Sequence, residues 1–253
     1  MILESVGEYN YLTTRQLARL LFDHQPPAAV IPRAANHALA RLRTLGLLAN
    51  LERRIGGVRA GSGGHVWTLT ELANRLLAWR NDAPARPRMR TYEPSSSFLE
   101  HTLAVAEVVL TLRAVAAQHE VALTRVESEP ACWRPYLAAG GAVARLKPDL
   151  AVVTQTGDFE DHWFIEVDRA TEPPSRIVRK SLQYQEYQRT GIEQRARGVF
   201  PAVVWIVPSA ARREQLISRL SDEASIDNRL FTVITLDQLD ALIAEGAKGS
   251  SSS

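Results

Sequence analysis

Three carboxylates lie close together in the stretch from Lys147 to Ala170, KPDLAVVTQTGDFEDHWFIEVDRA. Asp149 opens one apolar run, and Glu166 and Asp168 close the next. If the polar turn between the runs closes a symmetric antiparallel hairpin with Thr154 opposite Asp161, Asp149 falls opposite Glu166. Asp168 shares the strand parity of Glu166 and so faces the same way, while Trp163, Ile165 and Val167 face the other. Like charges gathered on one face need something positive among them, and a divalent cation with oxygen ligands answers that need. The chemistry this suggests is metal-assisted phosphodiester hydrolysis, with Mg or Mn held by Asp149 and Glu166. Such a site also wants a lysine to position the attacking water, and Asp168 occupies that place with the wrong sign.

Three answers are open: the lysine has moved, the site binds metal without cutting, or the chemistry has been lost. Lys180 supports the first, because Lys180, Gln183, Tyr184 and Tyr187 recur at i, i+3, i+4 and i+7 on one helix face. The catalytic candidates are therefore Asp149, Glu166, Asp168 and Lys180, supported by Gln183, Tyr184, Tyr187 and Glu100. Each also has a plain structural reading: a strand start, a strand end, a helix cap, a solvated charge. If the three carboxylates crowd one another, Asp168→Asn relieves repulsion.

The elements around these residues follow from periodicity. Residues 97 to 118 read as one helix with Leu99, Leu103, Ala106 and Leu110 along a stripe and Ser97 and Glu100 in capping-box relation. Strands are expected near 121–126, 149–154, 162–168 and 202–208, with helices at 176–190 and 210–222, then a short strand and a last helix. Helix, three strands, helix, strand is the order of the PD-(D/E)xK nuclease core, with the wholly apolar run at 202–208 in the sheet interior.

Charge separates this half from what precedes it. The 253 residues carry a net charge of only +2, but residues 1 to 92 hold 13 Arg and no Lys against 6 acidic residues, and the remainder carries the opposite sign. A basic front half suits a polyanion. There Thr13 and Gln16 stand at capping-box spacing, and a second helix places Ala35, Leu39, Leu42 and Leu45 on one face and stops at Gly46. Arg33, Asn36, His37 and Arg41 point away from that face, where Arg can pair with guanine and Asn with adenine. A hairpin with Arg53, Arg54 and Arg59 at a glycine-rich tip can reach phosphates. This is the layout of a winged helix-turn-helix.

The fold class expected is α/β, with α+β character overall. A winged helix-turn-helix domain is expected over residues 1–80, a Pro- and Arg-rich linker over 81–96, the nuclease-like domain over 97–246 and a disordered tail over 247–253. No apolar run reaches the ~18 residues of a membrane helix, the N-terminus has no signal-peptide order, and the lone Cys132 argues against disulfides and thiolate zinc sites. A cytoplasmic location is expected.

The phrases FLEHTLAVAEVVLTL, KPDLAVV, HWFIEVDRATEP and RKSLQYQEY behind a winged helix resemble the replication-relaxation family of plasmid and integrative-element proteins. The resemblance implies a DNA-binding protein acting in replication, relaxation or transfer of mobile DNA. The partners expected are double-stranded DNA, replication or transfer proteins and a second copy of the chain, with no membrane. A metal-dependent endonuclease targeted by its winged helix is the alternative.

Overall fold

The computed structural model describes residues 1–22, 31–51, 65–82 and 94–246. It divides into two compact units, Met1–Leu110 and Thr111–Ser253, and the division falls inside a helix.

In the first unit α1 (Ile2–Tyr9) and β1 (Leu12–Thr13) lead into α2 (Thr14–Phe22) and α3 (Ile31–Thr44), followed by β2 (Leu48–Leu51), β3 (Val66–Leu69) and α4 (Glu71–Arg80). The strands form an antiparallel sheet in the order β1-β3-β2. These elements run in winged helix-turn-helix order; the wing tip with Arg53, Arg54 and Arg59 lies outside the described residues. The capping box forms as the spacing requires: Gln16 N donates to Thr13 Oγ1 at 3.2 Å, and Thr13 N donates to Gln16 Oε1 at 3.0 Å. Ala35 and Leu39 are buried, but Leu45, expected on the packed face, is 56% exposed. It lies past the end of α3, where the chain turns through Gly46 at φ 68°, and so leaves the helical stripe.

The next helix, α5 (Ser96–Gln118), belongs to both units. Its cap is Ser95, whose Oγ accepts from Phe98 N at 3.2 Å, and not the expected Ser97. Leu99 and Leu103 share a buried cluster with Tyr11 and Val66, and Gln16 Nε2 donates to the Leu103 carbonyl at 2.9 Å. Packing of this kind assigns the first half of α5 to the N-terminal unit.

The second unit continues with β4 (Ala122–Ser128), β5 (Arg134–Leu137), β6 (Val143–Leu146), β7 (Leu150–Thr156), β8 (Phe159–Val167), α6 (Pro174–Arg189), α7 (Ile192–Arg197), β9 (Ala202–Val207), α8 (Ala210–Ser221), β10 (Phe231–Thr235) and α9 (Leu239–Glu245). Five strands form one sheet in the order β10-β9-β8-β7-β4, antiparallel through β4, β7 and β8 and parallel through β8, β9 and β10. The apolar β9 lies inside the sheet, as its composition requires. The β7–β8 hairpin pairs Thr154 with Asp161 and Leu150 with Ile165, the register inferred from the sequence. One sheet face is covered by α6 and α8. On it Ala151, Phe164 and Val203 pack with Tyr184 and Tyr187, and Trp205, Val207 and Val233 pack with Ile177, Val178, Leu216 and Leu220. The β5–β6 hairpin is a separate two-stranded sheet that the periodicity did not indicate.

Candidate functional site

Register brings Asp149 and Glu166 together where β7 begins and β8 ends. Asp149 is buried, and its Oδ2 accepts from Val167 N on the neighbouring strand at 2.7 Å. Glu166 is 1% exposed. Two residues of α6 one turn apart reach it from above the sheet: the Tyr184 hydroxyl donates to Oε1 at 2.5 Å, and the Lys180 ammonium donates to Oε2. The helix spacing read from the sequence therefore does put Lys180 and Tyr184 on the carboxylate. Burial pushes Glu166 up to about 8, with the Lys180 charge opposing and Asp149 adding to the rise. For Lys180 the attraction of Glu166 and Asp149 outweighs burial and holds its ammonium above the ordinary lysine range.

Asp168 has a different occupation. Its backbone N–H donates to the Ile206 carbonyl at 2.9 Å as the chain leaves β8, and its carboxylate is gripped by Arg212 near the start of α8. Arg212 Nε donates to Oδ2 at 2.7 Å and its second terminal nitrogen donates to Oδ1 at 3.3 Å. Both residues are buried, and Arg212 also donates to the Glu172 carbonyl and to Gln215 Oε1, each at 2.8 Å. A two-pronged, hydrogen-bonded guanidinium is the arrangement a buried carboxylate requires. The aspartate standing where a nuclease would carry lysine is thus the counterion of Arg212. Arg212 is the functional-site residue the sequence reading missed: it lies 44 residues beyond Asp168, and no local spacing links them.

The supporting candidates divide. Tyr184 joins Glu166, Gln183 Nε2 donates to the Arg145 carbonyl at 3.2 Å, and Tyr187 donates to Glu193 Oε1 at 2.8 Å. Glu193 is buried in a second charge network with Arg134, which also pairs with Glu127, and with Arg197. Glu100 sits in the first turn of α5, within the N-terminal unit.

The donor set as arranged does not fit a Mg or Mn ion. Both oxygens of Glu166 are taken by protein donors, a lysine occupies its open side, and Asp168 is committed to Arg212. Among the described residues no group of three or more His, Cys, Asp or Glu side chains is placed to hold a metal. Oxygen-ligand sites for such ions need more free carboxylate than this.

In the N-terminal unit Asn36, His37 and Arg41 are exposed on α3, on the side away from buried Ala35 and Leu39. Arg33 falls in the first turn of the same helix, and its side chain lies outside the described residues. No described helix is long and apolar enough to cross a membrane.

A family model, replication-relaxation, matches residues 3–203. The chain belongs to the replication-relaxation family. No curated protein matches it. Among solved structures, this replication-relaxation protein is similar to restriction endonuclease FokI at 12% identity and a TM-score of 0.31, over 99% of this chain and 43% of that one. It is also similar to FokI bound to DNA at 14% identity and a TM-score of 0.24, over 99% of this chain and 44% of that one. The chain thus spans less than half the length of those enzymes.

Proposed function

We propose that this replication-relaxation protein binds double-stranded DNA through α3 and the wing that follows it, in the cytoplasm, as an accessory of plasmid or mobile-element replication, relaxation or transfer. Its nuclease-like domain serves as a scaffold that does not cut. The observation that carries the second half is the internal neutralisation of the carboxylate cluster: Glu166 by Lys180 and Tyr184, Asp168 by Arg212. The first half is supported by the basic front half and by the exposed Asn36, His37 and Arg41 on one helix. Titration of full-length protein with duplex DNA at several salt concentrations tests it. Binding is expected to weaken steeply with salt, since arginines on phosphates release condensed counterions. Affinity for duplex that is absent, or indifferent to salt, refutes it.

One observation favours a second reading, a metal-dependent endonuclease: Lys180 sits on Glu166, so a lysine is present at the carboxylate although the strand does not supply it. On this reading Asp149 and Glu166 would hold the ion, which would supply Lewis-acid assistance to phosphodiester hydrolysis, and Lys180 would position the attacking water. Lys180→Ala then abolishes cleavage while DNA binding survives.

A further inference from the structure

The β5–β6 hairpin has two unlike faces. Its register pairs Arg134 with Leu146 and Tyr136 with Ala144, which turns buried Tyr136 and Leu146 inward, where the Tyr136 hydroxyl donates to Glu186 Oε2 at 2.9 Å. The alternate pairs, Pro135 with Arg145 and Leu137 with Val143, face outward. At the tip Leu137 is 66% and Val143 80% exposed. At the base, the Arg145 guanidinium lies 5.5 Å and the Lys147 ammonium 4.6 Å from the ring centre of Trp133, whose indole N–H donates to Glu129 Oε1 at 3.1 Å.

Charge along this segment runs against its surroundings. Residues 130 to 148 contain Arg134, Arg145 and Lys147 and no acidic residue, in a half of the chain where acidic residues prevail. Arg134 is consumed by Glu127 and Glu193. Arg145 and Lys147 have no ion-pair partner among the described residues, and the Trp133 ring holds both heads at the surface.

We infer that this outward face is a second binding surface for duplex DNA. It rests on the reading of the protein as DNA-binding, and it gives the nuclease-like domain a part in that binding. Arg145 and Lys147 bind backbone phosphates, and Leu137 with Val143 lies against the sugar edges of the groove. Two uncompensated cations on an otherwise acidic domain select a polyanion. The Trp133 ring is already faced by its own cations and offers no open platform for an unstacked base, which selects duplex over single strands.

The test is a salt titration of full-length protein on a duplex fragment, with sedimentation and melting temperature recorded for each variant. Arg145→Gln with Lys147→Gln is expected to lower the slope of log affinity against log salt by about 2, near 0.9 for each phosphate that is no longer neutralised. Leu137→Ser with Val143→Ser is expected to weaken binding several-fold and leave that slope unchanged. All four positions are exposed, so melting is expected to stay close to the wild-type value, with only the contacts of Arg145 and Lys147 on the Trp133 ring lost. Wild-type binding with the slope unaltered in the cation variant overturns this surface and leaves the winged-helix reading standing. A Leu137 and Val143 variant that turns a dimer into a monomer with unchanged DNA affinity overturns it in favour of a subunit interface. No duplex binding by the wild type overturns both readings together.

Discussion

At Asp168 the sign of the expected mutational effect is reversed by its partner. Three mutually repelling carboxylates predict that Asp168→Asn stabilises; a carboxylate locked to buried Arg212 predicts the opposite. Removing one member of a buried pair strands the other and costs about 3–5 kcal/mol. Asp168→Asn and Arg212→Met should each lower the melting temperature by on the order of 10 °C. The double replacement Asp168→Leu with Arg212→Met should recover much of that loss, because it buries no unpaired charge. Equal losses in the single and double variants would show that the pair is not the source. Glu166 gives a second prediction at this scale. Its carboxyl is raised by burial from 4.5 to about 8. Below about pH 8 a proton on the buried carboxyl offsets the charge of Glu166 and above it the Lys180 ammonium does, so between those values the folded protein keeps a proton that the unfolded chain releases and stability falls as pH rises. In chelator-containing buffer, melting temperature should decline from about pH 4.5 to about pH 8. Glu166→Gln should flatten that decline; a variant with the wild-type slope would place the titration elsewhere.

Elements set where these residues meet, and some of that was written locally. The β7–β8 register followed from a symmetric turn, the interior position of β9 from an unbroken apolar run, and the meeting of Lys180 and Tyr184 from helical spacing. The Thr13 cap was legible for the same reason, being complete within four residues, and Thr13→Ala should cost about 1 kcal/mol in urea unfolding. What was hidden depends on distant packing. Arg212 reads as one more helix arginine until the sheet places it beside Asp168, and the membership of α5 in both units is fixed by Tyr11 and Val66, far back in the chain. The β5–β6 hairpin escaped notice because Pro135 and a run of Ala and Gly break any alternation. For α3, Asn36→Ala and Arg41→Ala should each reduce discrimination between preferred and random duplex by about 1–3 kcal/mol. Binding curves on both duplexes check this, and equal discrimination by wild type and variants would remove α3 from the groove.

At the scale of the whole molecule, a basic unit in winged-helix order is joined to a sheet whose catalytic-looking acids are each held by a protein cation or hydrogen-bond donor. These contacts support the proposed scaffold role: a cutting site keeps carboxylate oxygens open for an ion, and here both oxygens of Glu166 and both of Asp168 accept from protein donors. The most direct measurement is incubation of supercoiled plasmid with the full-length protein, in parallel with Lys180→Ala, in Mg²⁺ and in Mn²⁺. Plasmid is expected to be bound and to stay supercoiled with both proteins in both metals; nicking or linearisation by the wild type that disappears in Lys180→Ala would contradict the scaffold role.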